Sequence, residues 1–367
     1  MMNIKNRIDS SYLARYVFQN AVDISDYNIF PEREIQNLAP VFHFSPQRES
    51  DALLPLLNLA VPAKGEGTQS GMFDRFMEGN GTVAFLVIKK DTLLFEHYYN
   101  GYGHASICTS FSTVKSFVSA LVGIALHEKL IHGLDDPVTA YLPELSAPYW
   151  PEITIRHLVS MSSGLKYSEG FFPWCDDPRV YYSPDLRELA RRASRVEPPG
   201  IRFHYNNYNL LLLGMILERV TSATVSGYVQ ERIWKPLGME YPGSWSLDSR
   251  QCGMEKMESG LNARAIDFAK FGRLYLRGGD WNGKQIVPES WVAESTTVDR
   301  HAKWSHYKYL WWIPRSGRGR FMAVGNLGQF IYVAPDKDCL ILRFGKGRPH
   351  NWQQIYPQLF AMIAESI

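Results

Sequence analysis

Two blocks of strand-forming sequence stand at opposite ends of a long helix-rich stretch, and that separation limits what this chain can become. Residues 82–89 and 92–99 flank Lys90-Asp91 and read as a β-hairpin. Strand patterns return only at 307–313, 320–325, 329–334 and 339–344, the last two joined by the turn Pro335-Asp336-Lys337-Asp338. Helical patterns fill the interval, at 154–162, 185–195, 209–221 and 265–276, and a final one runs from 352 to 365. Such an order predicts an α+β unit whose antiparallel sheet is completed by distant parts of the chain, with an all-helical insertion. The expected division is an irregular N-terminal extension over 1–78 with one or two short helices, then one domain over 79–367. Its sheet part covers about 79–111 and 300–367, its helical part about 112–299.

With 367 residues and 45% hydrophobic content, the chain has ample material for a sizeable core. Its net charge is +2, with no basic run and no acidic tail, so neither nucleic acid nor an anionic membrane is indicated as a partner. The cysteines at 108, 175, 252 and 339 are too scattered for a Cys-x-x-Cys metal site or a disulfide framework. The first residues carry charge with no apolar run behind them, and no window reaches the length of a membrane span. The expectation is a cytoplasmic protein without metal or cofactor, its oligomeric state open.

Three Ser-x-x-Lys pairs occur: Ser112/Lys115, Ser163/Lys166 and Ser305/Lys308. At that spacing on a helix, the lysine projects from the same face as the serine. An amine in a poorly solvated site loses its charge readily and then activates a weak alcohol as a nucleophile. Context separates the three. Ser112 opens a run, Val114 to Leu126, that is apolar nearly all round and reads as a buried helix. Its first turn offers outward backbone N–H groups. Ser163 precedes the helix stop Gly164, and Ser305 enters a stretch that reads as strand, where residues three apart face opposite ways. Those two read as a cap or a solvated pair.

Two further segments join Ser112. Tyr205-Asn206-Asn207 precedes the apolar run Leu210–Leu213. A phenol near an ammonium has its phenolate favoured, so Tyr205 is a candidate proton relay. Asn207 is able to donate to a substrate and accept from the lysine, and the plain alternative for the pair is a helix N-cap with an interface tyrosine. Gly325-Asn326-Leu327-Gly328-Gln329 stands at a strand start, where glycines let a substrate approach the backbone. The N–H groups of Ser112 and Gln329 would then form an oxyanion hole.

Taken in order, these pieces resemble the serine β-lactamase and penicillin-binding-protein superfamily, closest to its class C-like branch with the family VIII esterases and 6-aminohexanoate-dimer hydrolases. The likeness also covers Leu134–Val138, Tyr141–Leu145, Ile153–Leu165 and Gly260–Gly272, and extends over roughly 80 to 365. It implies a β-lactamase-like α+β fold, an antiparallel sheet flanked by N- and C-terminal helices. It implies Ser112 as the acylated nucleophile, Lys115 as its base partner, Tyr205 as relay, and Asn207, Asn326 and Gly328 on the substrate. The third motif departs from the family's Lys-Thr-Gly or His-x-Gly: here it is Asn326-Leu327-Gly328. Asparagine lacks the charge that binds a penicillin carboxylate. An ester or amide hydrolase is therefore expected. A β-lactamase or D-amino-acid peptidase is the alternative within the class, and a non-turnover sensor of acylating ligands the alternative outside it.

Other chemistries lack support. His127 and His132 are five apart and leave one helical face. No Gly-x-Ser-x-Gly, Walker A or Gly-x-Gly-x-x-Gly occurs. Residues 166–182, with Tyr167 and Trp174, are expected to form the lip of the cleft.

Overall fold

A computed structural model describes residues 11–19, 22–46, 71–298, 304, 306–314 and 318–367. Ser305, of the third Ser-x-x-Lys pair, lies outside them.

Both strand blocks enter one eight-stranded sheet. Its order is 307–308, 311–312, 321–325, 329–334, 339–345, 82–89, 92–98 and 45–46. All neighbours are antiparallel except the last pair. The blocks meet where Cys339–Gly345 pairs with Thr82–Lys89, Leu340 opposite Ile88 and Leu342 opposite Leu86. Alternation sends Ala84, Leu86, Ile88, Leu340 and Leu342 toward the helical body. It sends Phe85, Val87 and Ile341 toward the helices Met72–Gly79 and Trp352–Ser366, represented by Phe73, Tyr356 and Phe360. A sheet covered on both faces needs apolar residues at successive positions, which is why these strands read as unbroken apolar runs.

The helix Val114–His127 runs through the core and is buried from Val114 to Ala125. Gly123 admits the Trp291 indole, which a Cβ there would meet at 2.3 Å. A second antiparallel sheet, in the order 32–35, 243–246, 261–264 and 107–109, leads into this helix. Its strand Ile107–Thr109 is continued by the Ser110 N–H, which donates to Leu261 O at 2.8 Å. The chain then makes the tight turn Phe111–Thr113 and enters the helix. Gly325, on the large sheet, packs on this turn so closely that a Cβ would come 2.7 Å from Ser110 O. The start of the buried helix is thus held between the two sheets.

The structure departs from expectation in several places, among them the stretch 112–299 read as helical, which contributes Gly243–Ser246 and Leu261–Arg264 to the small sheet. The N-terminal stretch read as irregular contributes Glu32–Ile35 to the small sheet and Ser45–Pro46 to the large one. The strand read at 307–313 is two short strands, because Tyr309 and Leu310 take φ values of 38° and 70° and reverse the chain. The helix read at 154–162 spans only Ile155–Val159, started by a capping box between Thr154 and His157. No single helix among the described residues is long and apolar enough to cross a membrane.

Candidate active site

Ser112 lies on the tight turn and Lys115 on the first turn of the buried helix. Their spacing brings Lys115 Nζ to 2.7 Å from Ser112 Oγ. The amine also donates to Glu258 O at 3.0 Å and lies 5.0 Å from the centre of the Tyr205 ring. Burial pulls the Lys115 pKa down to about 7, against the opposing pull of the Glu258 and Asp177 carboxylates. A large share of the amine is therefore neutral near pH 7. Phe111, just before Ser112, carries a φ of 44°, a left-handed conformation costly for a bulky residue. Strain is thus stored beside Ser112.

Tyr205 faces the same point and is a hydrogen-bond neighbour of Ser112. Burial raises its pKa well above that of a free phenol. The Ser112 contact opposes this, and Asp177 and Glu169 add to it. The expectation of a favoured phenolate fails: Lys115 is itself partly neutral, and carboxylates rather than cations dominate the surroundings. Tyr205 stays protonated and is equipped to donate.

Asn206 and Asn207 divide the work left open between them. Asn206 is the structural one, its Oδ1 accepting from Tyr208 N at 2.9 Å and its Nδ2 donating to Leu165 O at 3.0 Å. Asn207 faces the cleft, and its Nδ2 donates to Tyr167 Oη at 2.8 Å. Tyr167 in turn donates to Asp177 Oδ1 at 2.6 Å. The expected bond between Asn207 and Lys115 is not made, because the lysine is occupied by Ser112 and the Glu258 carbonyl. Tyr167 is buried behind Asn207 and orients it without lining the cleft.

The cleft encloses about 300 Å³. Ser112, Tyr205, Asn207 and Asn326 line it, with Val22, Phe111, Phe171, Tyr181 and Tyr182 as apolar wall. Three carboxylic residues, Glu169, Asp177 and Glu258, also line it, and no lysine or arginine is among the described residues that do. Two buried acceptors, Asn207 Oδ1 and Glu258 Oε2, have no hydrogen-bond partner. The other Glu258 oxygen accepts from Ser259 Oγ at 2.8 Å and lies 3.5 Å from the buried Lys256 Nζ.

Several expected positions fall elsewhere. Trp174 is 65% exposed and stacks on Phe172 outside the cleft; Glu169, Gly170 and Phe171 form the lip in its place. Gln329 and Gly328 are buried behind the turn that presents Asn326 and do not line the cleft. The Gln329 amide is clamped to the Gly345 backbone, donating at 2.7 Å and accepting at 2.8 Å. Ser163 is buried while Lys166 is exposed, so that pair is split. Arg343 is fully buried, and its guanidinium donates to backbone carbonyls and does not line the cleft.

Two contributors escaped the sequence reading. Glu258 stands two residues before the Gly260–Gly272 segment that carried the family likeness, and only that position hinted at a role. Val22 and the segment after it gave no signal. They reach the cleft through long-range contacts: Tyr181 Oη donates to Asp26, and the Lys256 amine sits between the Phe30 and Tyr181 rings at 4.3 and 4.4 Å. On the outer side Tyr12 and Tyr16 donate to Pro173 O and Phe171 O at 2.6 and 2.9 Å, tying the N-terminal helix to the lip.

The family model described as Beta-lactamase matches residues 70–353. The 6-aminohexanoate-dimer hydrolase of Paenarthrobacter ureafaciens is 26% identical over 294 residues, covering 73% of each chain. A provisionally named 6-aminohexanoate-dimer hydrolase from Bacillus anthracis superposes with a TM-score of 0.82 at 23% identity, over 100% of this chain and 98% of its own. EstCE1, described as a hydrolase with promiscuous acyltransferase activity, superposes with a TM-score of 0.67 at 16% identity, covering 87% of this chain and 100% of its own.

Proposed function

Given that the chain belongs to the β-lactamase family and is a serine hydrolase of the amidase or esterase type, we propose that it cleaves a neutral or amine-bearing ester or amide through an acyl-enzyme on Ser112. The observation that carries this reading is the 2.7 Å approach of a buried Lys115 amine to Ser112 Oγ. In its neutral form the amine takes the serine proton as Oγ attacks the carbonyl. Tyr205 donates to the leaving group, and water then releases the acid by the reverse transfer. The oxyanion donors are the backbone N–H of Ser112 and of Asn326, the residue of the Asn326-Leu327-Gly328 turn that reaches the cleft.

The lining selects the substrate. A carboxylate beside the scissile bond would be desolvated among Glu169, Asp177 and Glu258 with no cation to meet it. The two unpartnered acceptors, Asn207 Oδ1 and Glu258 Oε2, instead suit N–H donors. Its similarity to a 6-aminohexanoate-dimer hydrolase supports an amide on a flexible amine-bearing chain. The test compares kcat/KM for p-nitrophenyl butyrate, a p-nitroanilide of an ω-amino acid, the same anilide succinylated on its amine, and nitrocefin. The ester and free-amine anilide should exceed the succinylated anilide and nitrocefin by at least about tenfold, the ratio for 1.4 kcal/mol of lost pairing. Efficient nitrocefin turnover would overturn the substrate assignment. Acylation that stops after one equivalent would replace turnover with sensing.

A further inference from the structure

We infer that Arg343 is a positioning residue for the backbone donor of the active site, acting through the sheet on the turn that carries Asn326. The inference rests on the reading of Ser112 as the acylated nucleophile and of the Asn326 N–H as its second oxyanion donor.

Arg343 is fully buried and makes no ion pair with any described residue. A cation buried without a counter-ion is costly, and the cost is repaid here entirely by neutral acceptors. Its guanidinium donates to Leu327 O at 3.0 Å, Gly328 O at 2.7 Å, Asn80 O and Gly347 O at 2.9 Å each, and Thr82 Oγ1 at 3.0 Å. The Tyr356 ring covers it at 4.3 Å. All five donors of the fork are thus engaged, which a lysine is unable to reproduce.

Two of these acceptors explain what the cation is for. Leu327 and Gly328 take successive positive φ values of 57° and 81°. For leucine this left-handed conformation is unfavourable, since its Cβ crowds the following carbonyl. The turn holds it while both carbonyls are drawn backward onto one guanidinium, which leaves Asn326 at the front, in the cleft with Ser112. The fit is close: a Cβ on Gly328 or on Gly345 would lie 2.4 Å from Arg343 Nη1. Asn80, Thr82 and Gly347 belong to the frame at the ends of the two central strands. Arg343 therefore fastens a strained turn to the most buried part of the sheet. Releasing it lets the turn relax and moves the donor, and a misplacement of about 1 Å is enough to cost roughly a hundredfold in rate.

The experiment uses Arg343→Lys, Leu327→Gly and their combination in the full chain. Readouts are kcat and KM for p-nitrophenyl butyrate, affinity for a boronic acid that mimics the tetrahedral intermediate, and the melting temperature. Arg343→Lys should lower kcat roughly 10- to 100-fold with KM within about threefold, and weaken the boronate by a similar factor to kcat. Adding Leu327→Gly, which removes the left-handed penalty, should restore several-fold of kcat in the Arg343→Lys background. If Arg343→Lys does not accumulate as folded protein, Thr82→Val removes one acceptor of the same fork and should lower kcat about two- to fivefold with KM unchanged. An unchanged kcat in the folded variants, or a loss confined to KM, overturns the inference. So does a kcat loss that Leu327→Gly fails to relieve. Fluorophosphonate labelling of the unsubstituted protein, mapped by mass spectrometry, separates the two levels. Labelling away from Ser112 overturns the reading beneath the inference as well, whereas labelling at Ser112 with unchanged Arg343→Lys kinetics overturns the role of Arg343 alone.

Discussion

Lys115 loses its hydration on burial, and the Glu258 and Asp177 carboxylates return only part of what is lost, so the charged form is disfavoured. In the proposed mechanism the neutral amine accepts the serine proton, and with a pKa of about 7 that form prevails above that pH. In the free enzyme kcat/KM should therefore fall about tenfold per pH unit below roughly 7 and level off above it. A pH profile with an uncharged ester checks this. Lys115→Arg, which fixes the charge, should lose about two to four orders of magnitude and abolish that limb. Tyr205→Phe should cost a comparable factor. The double variant Lys115→Ala/Tyr205→Phe should be little worse than the poorer single one, because groups that act as a unit are not additive. Strictly additive losses would show that Tyr205 acts outside the proton path. At this scale the sequence was most legible where the partners are close along the chain. Ser112 and Lys115 meet because a helical turn makes them meet. The lysine's carbonyl partner lies at Glu258, across the molecule, and no spacing rule points to it. The protonation of Tyr205 was hidden for a related reason: burial among distant segments sets it, and the Asp177 and Glu169 carboxylates that add to it also lie elsewhere in the chain.

Among elements, the helix Val114–His127 holds Lys115 in its first turn, directly after the turn that carries Ser112. Its packing tolerates little. Gly123 faces the Trp291 ring, and a methyl there would sit 2.3 Å from it, so the tryptophan and the helix Glu289–Thr296 have to move. Gly123→Ala should destabilise the protein by about 1–3 kcal/mol, the usual range for overpacking, despite alanine's better helix propensity. Urea unfolding measures it, and a gain in stability would show that the ring yields freely. Long apolar helices and strands buried on both faces were readable from sequence because their pattern persists over many residues. Short elements were not. The residues 154–162 contain a helix start signal, yet only Ile155–Val159 are helical, since Gly164 at a φ of 71° and Met161 at 54° turn the chain early. Tyr309 and Leu310 break a strand without any glycine or proline to announce it.

For the whole molecule, the union of the two strand blocks was the most legible feature, because both blocks read as unbroken apolar runs of the kind a sheet covered on both faces needs. The N-terminal stretch was the least legible. Its strand Glu32–Ile35 is short and mixed in character, and its place is set by pairing with Gly243–Ser246, far along the chain. The pairing of Thr82–Lys89 with Cys339–Gly345 has a consequence for synthesis. A nascent chain emerges from the ribosome with its first long strand already made, and the strand that must lie beside it comes almost last. Until then the edge of Thr82–Lys89 that pairs with Cys339–Gly345 has no native partner, and contacts of such high sequence separation form slowly. The centre of the large sheet is thus expected to close only once the last strand has been made, with the unpaired edge open to aggregation until then. A chain stopped before residue 339 should be digested by trypsin as an unfolded polypeptide, although it contains Ser112, Lys115 and Tyr205. Protease resistance in that fragment would show that the helical half stands alone.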